Sequence, residues 1–151
     1  MILAAYQPDI PQNVGALMRL AAGFDVLLDL IEPFGFPWDE RKIKQSAMDY
    51  YDAVKMRRYK SWNNYTESNR NSRIVLMTTK AAIPYTDFKF QHNDILLLGR
   101  ESSGVPDDVH NHAHERIYIP MSPKIRSFNV AMSGGIALAE AMRQISLSQP
   151  V

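Results

Sequence analysis

There is no cysteine among the 151 residues. That excludes disulfides and thiol catalysis and fits a reducing cytoplasm. No run of 18 apolar residues occurs, so no segment reads as a membrane span. The opening stretch, MILAAYQPD, has no basic region and turns polar at once; it reads as a strand and not as a secretion signal. Charge of one sign is scarcely in excess, with 17 Lys and Arg against 16 Asp and Glu. The common nucleotide fingerprints are missing too: no GxxxxGKS/T loop, no GxGxxG after a strand, no GxSxG elbow. Ser102 and Ser103 therefore have no histidine placed to activate them, and a serine hydrolase ranks low. His110, His112 and His114 alternate in a polar segment. Without cysteine or a second ligand cluster they read as a solvated loop, and no metal is expected.

What is present suits one domain over residues 1–151. Hydrophobic residues make up 46% of the chain, enough for a real core, and there is no repeat or linker. Short apolar runs alternate with helical spacings. Strands are predicted at Ile2–Tyr6, Val26–Ile31, Ala53–Arg58, Ile74–Thr78, Ile95–Leu98 and Arg116–Pro120. Helices are predicted at Asn13–Phe24, Asp39–Ala47, Ser61–Asn69, Pro106–His112 and Asn129–Ile145, with Asn13, Asp39 and Asn129 as N-caps. This is an α/β pattern with a mostly parallel sheet flanked by helices.

Three loops carry the chemistry. In ILLLGRESSGVP, residues 95–106, a buried strand runs into Gly99, Glu101, Gly104 and Pro106. Open α/β sheets bind their ligands at such strand ends. In PDIPQNVGALMR, residues 8–19, Arg19 is the lone charge on a small, apolar helix, where an arginine meets phosphate or carboxylate, or else snorkels to solvent. In IPMSPKIRSFN, residues 119–129, Lys124 and Arg126 precede Ser127 and Asn129. Gly134 and Gly135, inside the last helix, point to close helix packing, within the chain or across a dimer interface. A local excess of cations adds to this. Arg41, Lys42, Lys44, Lys55, Arg57, Arg58 and Lys60 face only Asp49 and Asp52 between residues 41 and 60. Taken alone such a block is a solvated face or the footprint of an anionic partner.

Asn13, Gly15 and Arg19; Gly99 to Pro106; and Ile119-Pro120-Met121 followed by Ser127-Phe128-Asn129 occur in that order. Together they resemble the three motifs of the SpoU branch of the SPOUT methyltransferases, over essentially the whole chain. The chain is similar to the family's minimal members, which methylate the ribose of the tRNA wobble nucleotide. Ile31 to Asp39, Asp49-Tyr50 and Thr78 to Lys80 carry that likeness. The resemblance implies a C-terminal trefoil knot, S-adenosylmethionine as cofactor held around Met77, Gly99, Ile119, Met121 and Ser127, and a homodimer acting on the anticodon stem-loop of tRNA in the cytoplasm. Arg19, Asn13, Glu101, Ser127 and Asn129 would form the catalytic set. Arg41, Lys42, Lys44, Arg57, Arg58, Lys124 and Arg126 would meet RNA phosphates. Tyr50 or Trp38 is a candidate to stack an anticodon base, with core packing at least an equal reading for Trp38. The alternatives are the same chemistry at another tRNA position or on rRNA, a knotted protein that binds RNA without catalysis, and a generic nucleotide-binding module.

Overall fold

A computed structural model describes residues 1–148. Seven strands form one sheet: β1 (Ile2–Tyr6), β2 (Leu27–Ile31), β3 (Met56–Tyr59), β4 (Ile74–Met77), β5 (Ile83–Pro84), β6 (Ile95–Leu98) and β7 (Glu115–Tyr118). Their spatial order is β3-β2-β1-β6-β4-β7-β5, and every pairing between them is parallel. The five helices are α1 (Pro11–Phe24), α2 (Glu40–Ala47), α3 (Trp62–Ser68), α4 (Asp107–His112) and α5 (Val130–Ser148).

The central strands are apolar at every position because both faces are covered. On one side Leu3, Leu28, Leu30, Leu96 and Leu98 pack against α1, α2 and α5. On the other, Ala4, Ile31, Leu76, Ile95 and Leu97 pack against Tyr65 of α3 and Val109 of α4. A buried charge breaks this pattern in β2. Asp29 is fully buried, accepts from Arg57 Nε and Nη2 at 2.7 and 2.9 Å, and accepts from the Tyr65 hydroxyl at 2.9 Å.

Several predicted boundaries move. The third strand starts at Met56 and not Ala53, because Met48–Tyr51 forms a 3₁₀ turn whose Tyr50 carbonyl accepts from the backbone N–H groups of Ala53 and Val54. The last strand ends at Tyr118, short of Pro120. The two-residue β5, too short to register as a pattern, was not predicted. Asn13 is not an N-cap. The helix begins two residues earlier, with Ile10 extended at φ −124° and Pro11 at the first helical position, where a missing N–H and a preset φ cost nothing. Asn13 then falls in the first turn, buried. Asp39 does cap α2, accepting from the backbone of Arg41 and Lys42. Asn129 Oδ1 accepts from the backbone N–H of Met132 at 3.2 Å, the capping contact predicted for it.

No helix among the described residues is long and apolar enough to cross a membrane.

Candidate active site

The strand order reverses direction around β1 and β6, and the loops at their carboxyl ends diverge to leave a cavity of about 610 Å³. Such crevices are where parallel sheets bind ligands. Its walls come from five segments: Ile10 and Asn13 after β1, Met77 to Lys80 at the end of β4, Gly99 to Val105 after β6, Asp107 and His110 of α4, and, after β7, Ile119, Met121 and Arg126 to Asn129. All five residues expected to hold a cofactor, Met77, Gly99, Ile119, Met121 and Ser127, line this cavity.

Glycine makes the β6 wall thin. Residues 99–104 fold back on themselves through a bridge in which the backbone N–H groups of Arg100 and Gly104 each donate to the other's carbonyl, at 2.8 and 3.0 Å. A Cβ on Gly99 would lie 2.8 Å from the Gly104 backbone, and Gly104 itself sits at φ +66°. Both positions favour glycine.

Three of the expected catalytic residues are joined into one chain of hydrogen bonds. Asn13 Nδ2 donates to Glu101 Oε1 at 3.1 Å, and Asn129 Nδ2 donates to Asn13 Oδ1 at 3.1 Å. The three motif loops are thus tied together through the side chain of Asn13. Glu101 Oε2 also accepts from the backbone N–H of Asp9 at 2.8 Å. Asp9 in turn accepts from the Ser102 hydroxyl, and its Oδ1 is buried without a hydrogen-bond partner. Burial, and then the neighbouring Asp9 carboxyl, push Glu101 above the usual carboxylate range. The hydrogen bond to Glu101 holds Asp9 below it. The two neighbouring carboxyls are thus shifted in opposite directions, Glu101 upward and Asp9 downward. Asp9 was not singled out in the sequence: an aspartate between two prolines in a loop carries no motif signal. Arg100 was missed as well. It lines the cavity, stacks 5.1 Å over the Tyr6 ring and donates to Gln7 Oε1.

The remaining expected residues lie elsewhere. Arg19 is exposed and outside the cavity wall of its own chain, with Nη1 3.9 Å from Met48 Sδ and its guanidinium 5.2 Å over the Tyr50 ring. Of the cations expected to meet RNA, Arg126 lines the cavity and Lys124 is exposed beside it. Arg41 and Lys42 are exposed on α2. The others answer acids of the same chain: Lys44 pairs with Glu40 at 3.4 Å, Arg58 with Glu32 at 2.8 Å, and Arg57 with buried Asp29. The positive block is therefore partly neutralised by residues outside it. His114 is no idle loop residue, since its Nδ1 accepts from the backbone N–H of Ile74 at 2.9 Å.

The crevice thus joins apolar side chains such as Met77, Leu98 and Ile119 to a carboxyl–amide chain along its wall. The SpoU rRNA Methylase family model matches residues 1–139, and the chain is a member of that family. A tRNA (cytidine(34)-2'-O)-methyltransferase of Beijerinckia indica is 47% identical over 146 residues, covering 95% of this chain and 91% of the relative. The Escherichia coli K12 protein of the same name is 31% identical over 145 residues, covering 95% and 92%. A solved structure concerned with 2-OH methylation of C/U34 on tRNA superposes with a TM-score of 0.91 at 35% identity, covering 96% of this chain and 95% of that one. An AdoMet-bound rRNA methyltransferase from Sinorhizobium meliloti shares the fold with a TM-score of 0.86 at 22% identity, over 95% of this chain and 56% of its own.

Proposed function

We propose that this protein transfers a methyl group from S-adenosylmethionine to the ribose 2'-hydroxyl of the tRNA wobble nucleotide, cytidine or uridine at position 34. The observation that carries the proposal is the cavity in which the three motif loops meet, with Glu101, Asn13 and Asn129 hydrogen-bonded in series along its wall. Near-full-length likeness to relatives bearing that activity in their names supports the choice of substrate. The cavity suits the cofactor. Met77, Leu98, Ile119 and Met121 offer apolar contact, and Gly99 lets the loop after β6 fold back on its own backbone at Gly104 as one wall of the cavity. The cofactor supplies an electrophilic methyl on a sulfonium; the chain must supply the position and charge of the nucleophile.

A ribose hydroxyl is a poor nucleophile until its proton is shared or lost. A guanidinium donates and does not accept, so the role of Arg19 is to hold the adjacent phosphate and stabilise the developing alkoxide. A backbone phosphate is then the proton's acceptor. Asn13, locked between Glu101 and Asn129, orients the ribose, and Ser127 steadies the third loop. Glu101 organises the loops and does not serve as the base. Lys124, Arg126, Arg41 and Lys42 meet the phosphates of the anticodon stem-loop.

Two features of assembly complete the proposal. The late strands β6 and β7 enter the sheet between earlier ones, an arrangement compatible with the trefoil knot of the family. The working unit is a homodimer. Supporting it, Met132 on α5 is 60% exposed, and Met48 and Tyr50 beside Arg19 are exposed as well. Since Arg19 does not line the cavity of its own chain, a second copy brings it there.

The test is methyl transfer with purified protein, S-adenosylmethionine and tRNA, followed by mapping of ribose methylation. One methyl at nucleotide 34 is expected. Methylation of another tRNA position or of rRNA instead would replace this substrate. Cofactor binding by calorimetry with no transfer to any RNA would leave only the RNA-binding alternative.

A further inference from the structure

The carboxyl ends of β2 and β3 hold a second hollow, of about 340 Å³, walled by Glu32, Pro33, Phe34, Phe36, Trp38 and Lys60. Methyl transfer assigns it no role. Its floor is a set of aromatic planes. Phe34 stacks on Phe36 with centroids 5.5 Å apart and planes 10° from parallel, and Trp38 lies 5.3 Å from Phe34. Arg58 lies over Trp38 at 4.3 Å and over Phe34 at 5.4 Å, which fixes the platform from one side. These rings remain half-buried and not enclosed.

Charge at the rim is uneven. Arg58 Nη2 donates to Glu32 at 2.8 Å, so that cation is answered. Lys60 is exposed and has no ion partner among the described residues. Flat π faces beside one uncompensated cation complement a nucleotide, whose base stacks and whose phosphate pairs.

A short segment of chain lies between the hollow and the cavity. The backbone N–H of Gly35, within the aromatic segment, donates to the Pro8 carbonyl at 3.0 Å. A Cβ on Gly35 would come within 2.9 Å of Asp9 Cα. The Asp9 N–H in turn donates to Glu101, a wall of the cavity. Residues 8 and 9 are thus a shared partition between the two.

We infer that this hollow is a subsite for a nucleotide next to the methylated one. Its base stacks on the Phe34–Phe36–Trp38 platform and its phosphate pairs with Lys60. The inference rests on RNA being the substrate.

The experiment is steady-state methyl transfer to an anticodon stem-loop RNA by the wild type, Lys60→Ala and Phe36→Leu, each also on RNA with an abasic residue immediately 5' or 3' of the target. Each variant is expected to raise KM for intact RNA about tenfold, the scale of one lost stack or phosphate contact. Turnover and cofactor affinity stay at the wild-type level. One abasic RNA costs the wild type a similar factor and costs Phe36→Leu little more, because the stack is already lost. Lys60→Ala is a surface change and carries the test even if Phe36→Leu fails to fold. Efficient methylation of intact RNA with unchanged KM in the variants overturns the subsite alone. Failure of the wild type to methylate any RNA overturns the substrate proposal, and the subsite with it.

Discussion

Glu101 is held by two donors, the Asp9 backbone and the Asn13 amide, yet burial and then the neighbouring Asp9 carboxyl push its pKa above the ordinary value. A carboxyl whose folded pKa lies above its unfolded one binds more protons in the folded state. Its contribution is complete below the ordinary value of 4.5 and is lost as pH rises through the folded pKa. Glutamine removes the titration, but its amide nitrogen cannot accept, so only one of the two bonds to the carboxyl is kept. Glu101→Gln should therefore lower stability in acid and lessen the decline in stability on the alkaline side. Urea unfolding of both proteins at a series of pH values checks this; parallel curves would mean that Glu101 does not carry the pH dependence. The same residue shows where sequence legibility stops. Gly99, Glu101, Asn129 and Ser127 stood out as motif members, and the cavity gathers them. Asp9, whose backbone N–H donates to Glu101, did not, because its role depends on a contact spanning 92 positions. Periodicity and local composition carry no information at that range.

At the scale of elements, α1 is legible in its apolar spacing but not in its start. Pro11 outcompeted Asn13 as the initiating signal, and the displaced asparagine became the link between two other loops. The glycines of α1 separate packing from propensity. A Cβ on Gly15 would collide with Ser46 Cβ and lie 2.8 Å from its carbonyl carbon and 2.9 Å from Ala47 N, all on α2. These are backbone-anchored atoms that cannot swing aside. Gly15→Ala should destabilise by about 1–3 kcal/mol, the range for overpacking a close contact. Gly23 lies on the same helix with nothing within 4 Å of its Cβ position. There alanine should stabilise by about 0.5–1 kcal/mol through helix propensity alone. Denaturant midpoints of the two variants, moving in opposite directions, would separate the two effects; a gain for Gly15→Ala would mean that α1 and α2 have room to part.

At the scale of the molecule, the positive block divides into cations that hold the fold and cations that remain available. The sequence showed the excess but could not show which acids answer it, since Asp29, Glu32 and Glu40 lie outside the block. Arg57→Ala strands a fully buried carboxylate and should cost on the order of 3 kcal/mol of stability, with RNA affinity lost only as far as folding is. Lys124→Ala and Arg126→Ala should leave stability within about 0.5 kcal/mol. Each should weaken RNA binding and reduce the slope of log affinity against log salt by about 0.7–0.9. A salt slope unchanged in both loop variants would remove these cations from the RNA contact.

The strand pattern was legible as parallel α/β, and the motif order identified the family; chain threading and assembly were not, because neither leaves a local pattern. Assembly has a direct test in Arg19, which does not line the cavity that its own chain builds. In the proposed homodimer Arg19 acts in the cavity of the other copy, so inactive subunits of two kinds should rescue each other. Arg19→Ala and Asn129→Ala are each expected to abolish turnover as homodimers. A hybrid of one Arg19→Ala subunit and one Asn129→Ala subunit contains one cavity with intact walls, served by an intact arginine from its neighbour. It should recover about half of the wild-type rate, the share of one site in two. If Arg19 works only within its own chain, both sites of the hybrid are broken and it stays inactive. Co-expression with two affinity tags, isolation of the hybrid and a methyl-transfer assay distinguish these outcomes, because only delivery across the interface restores turnover.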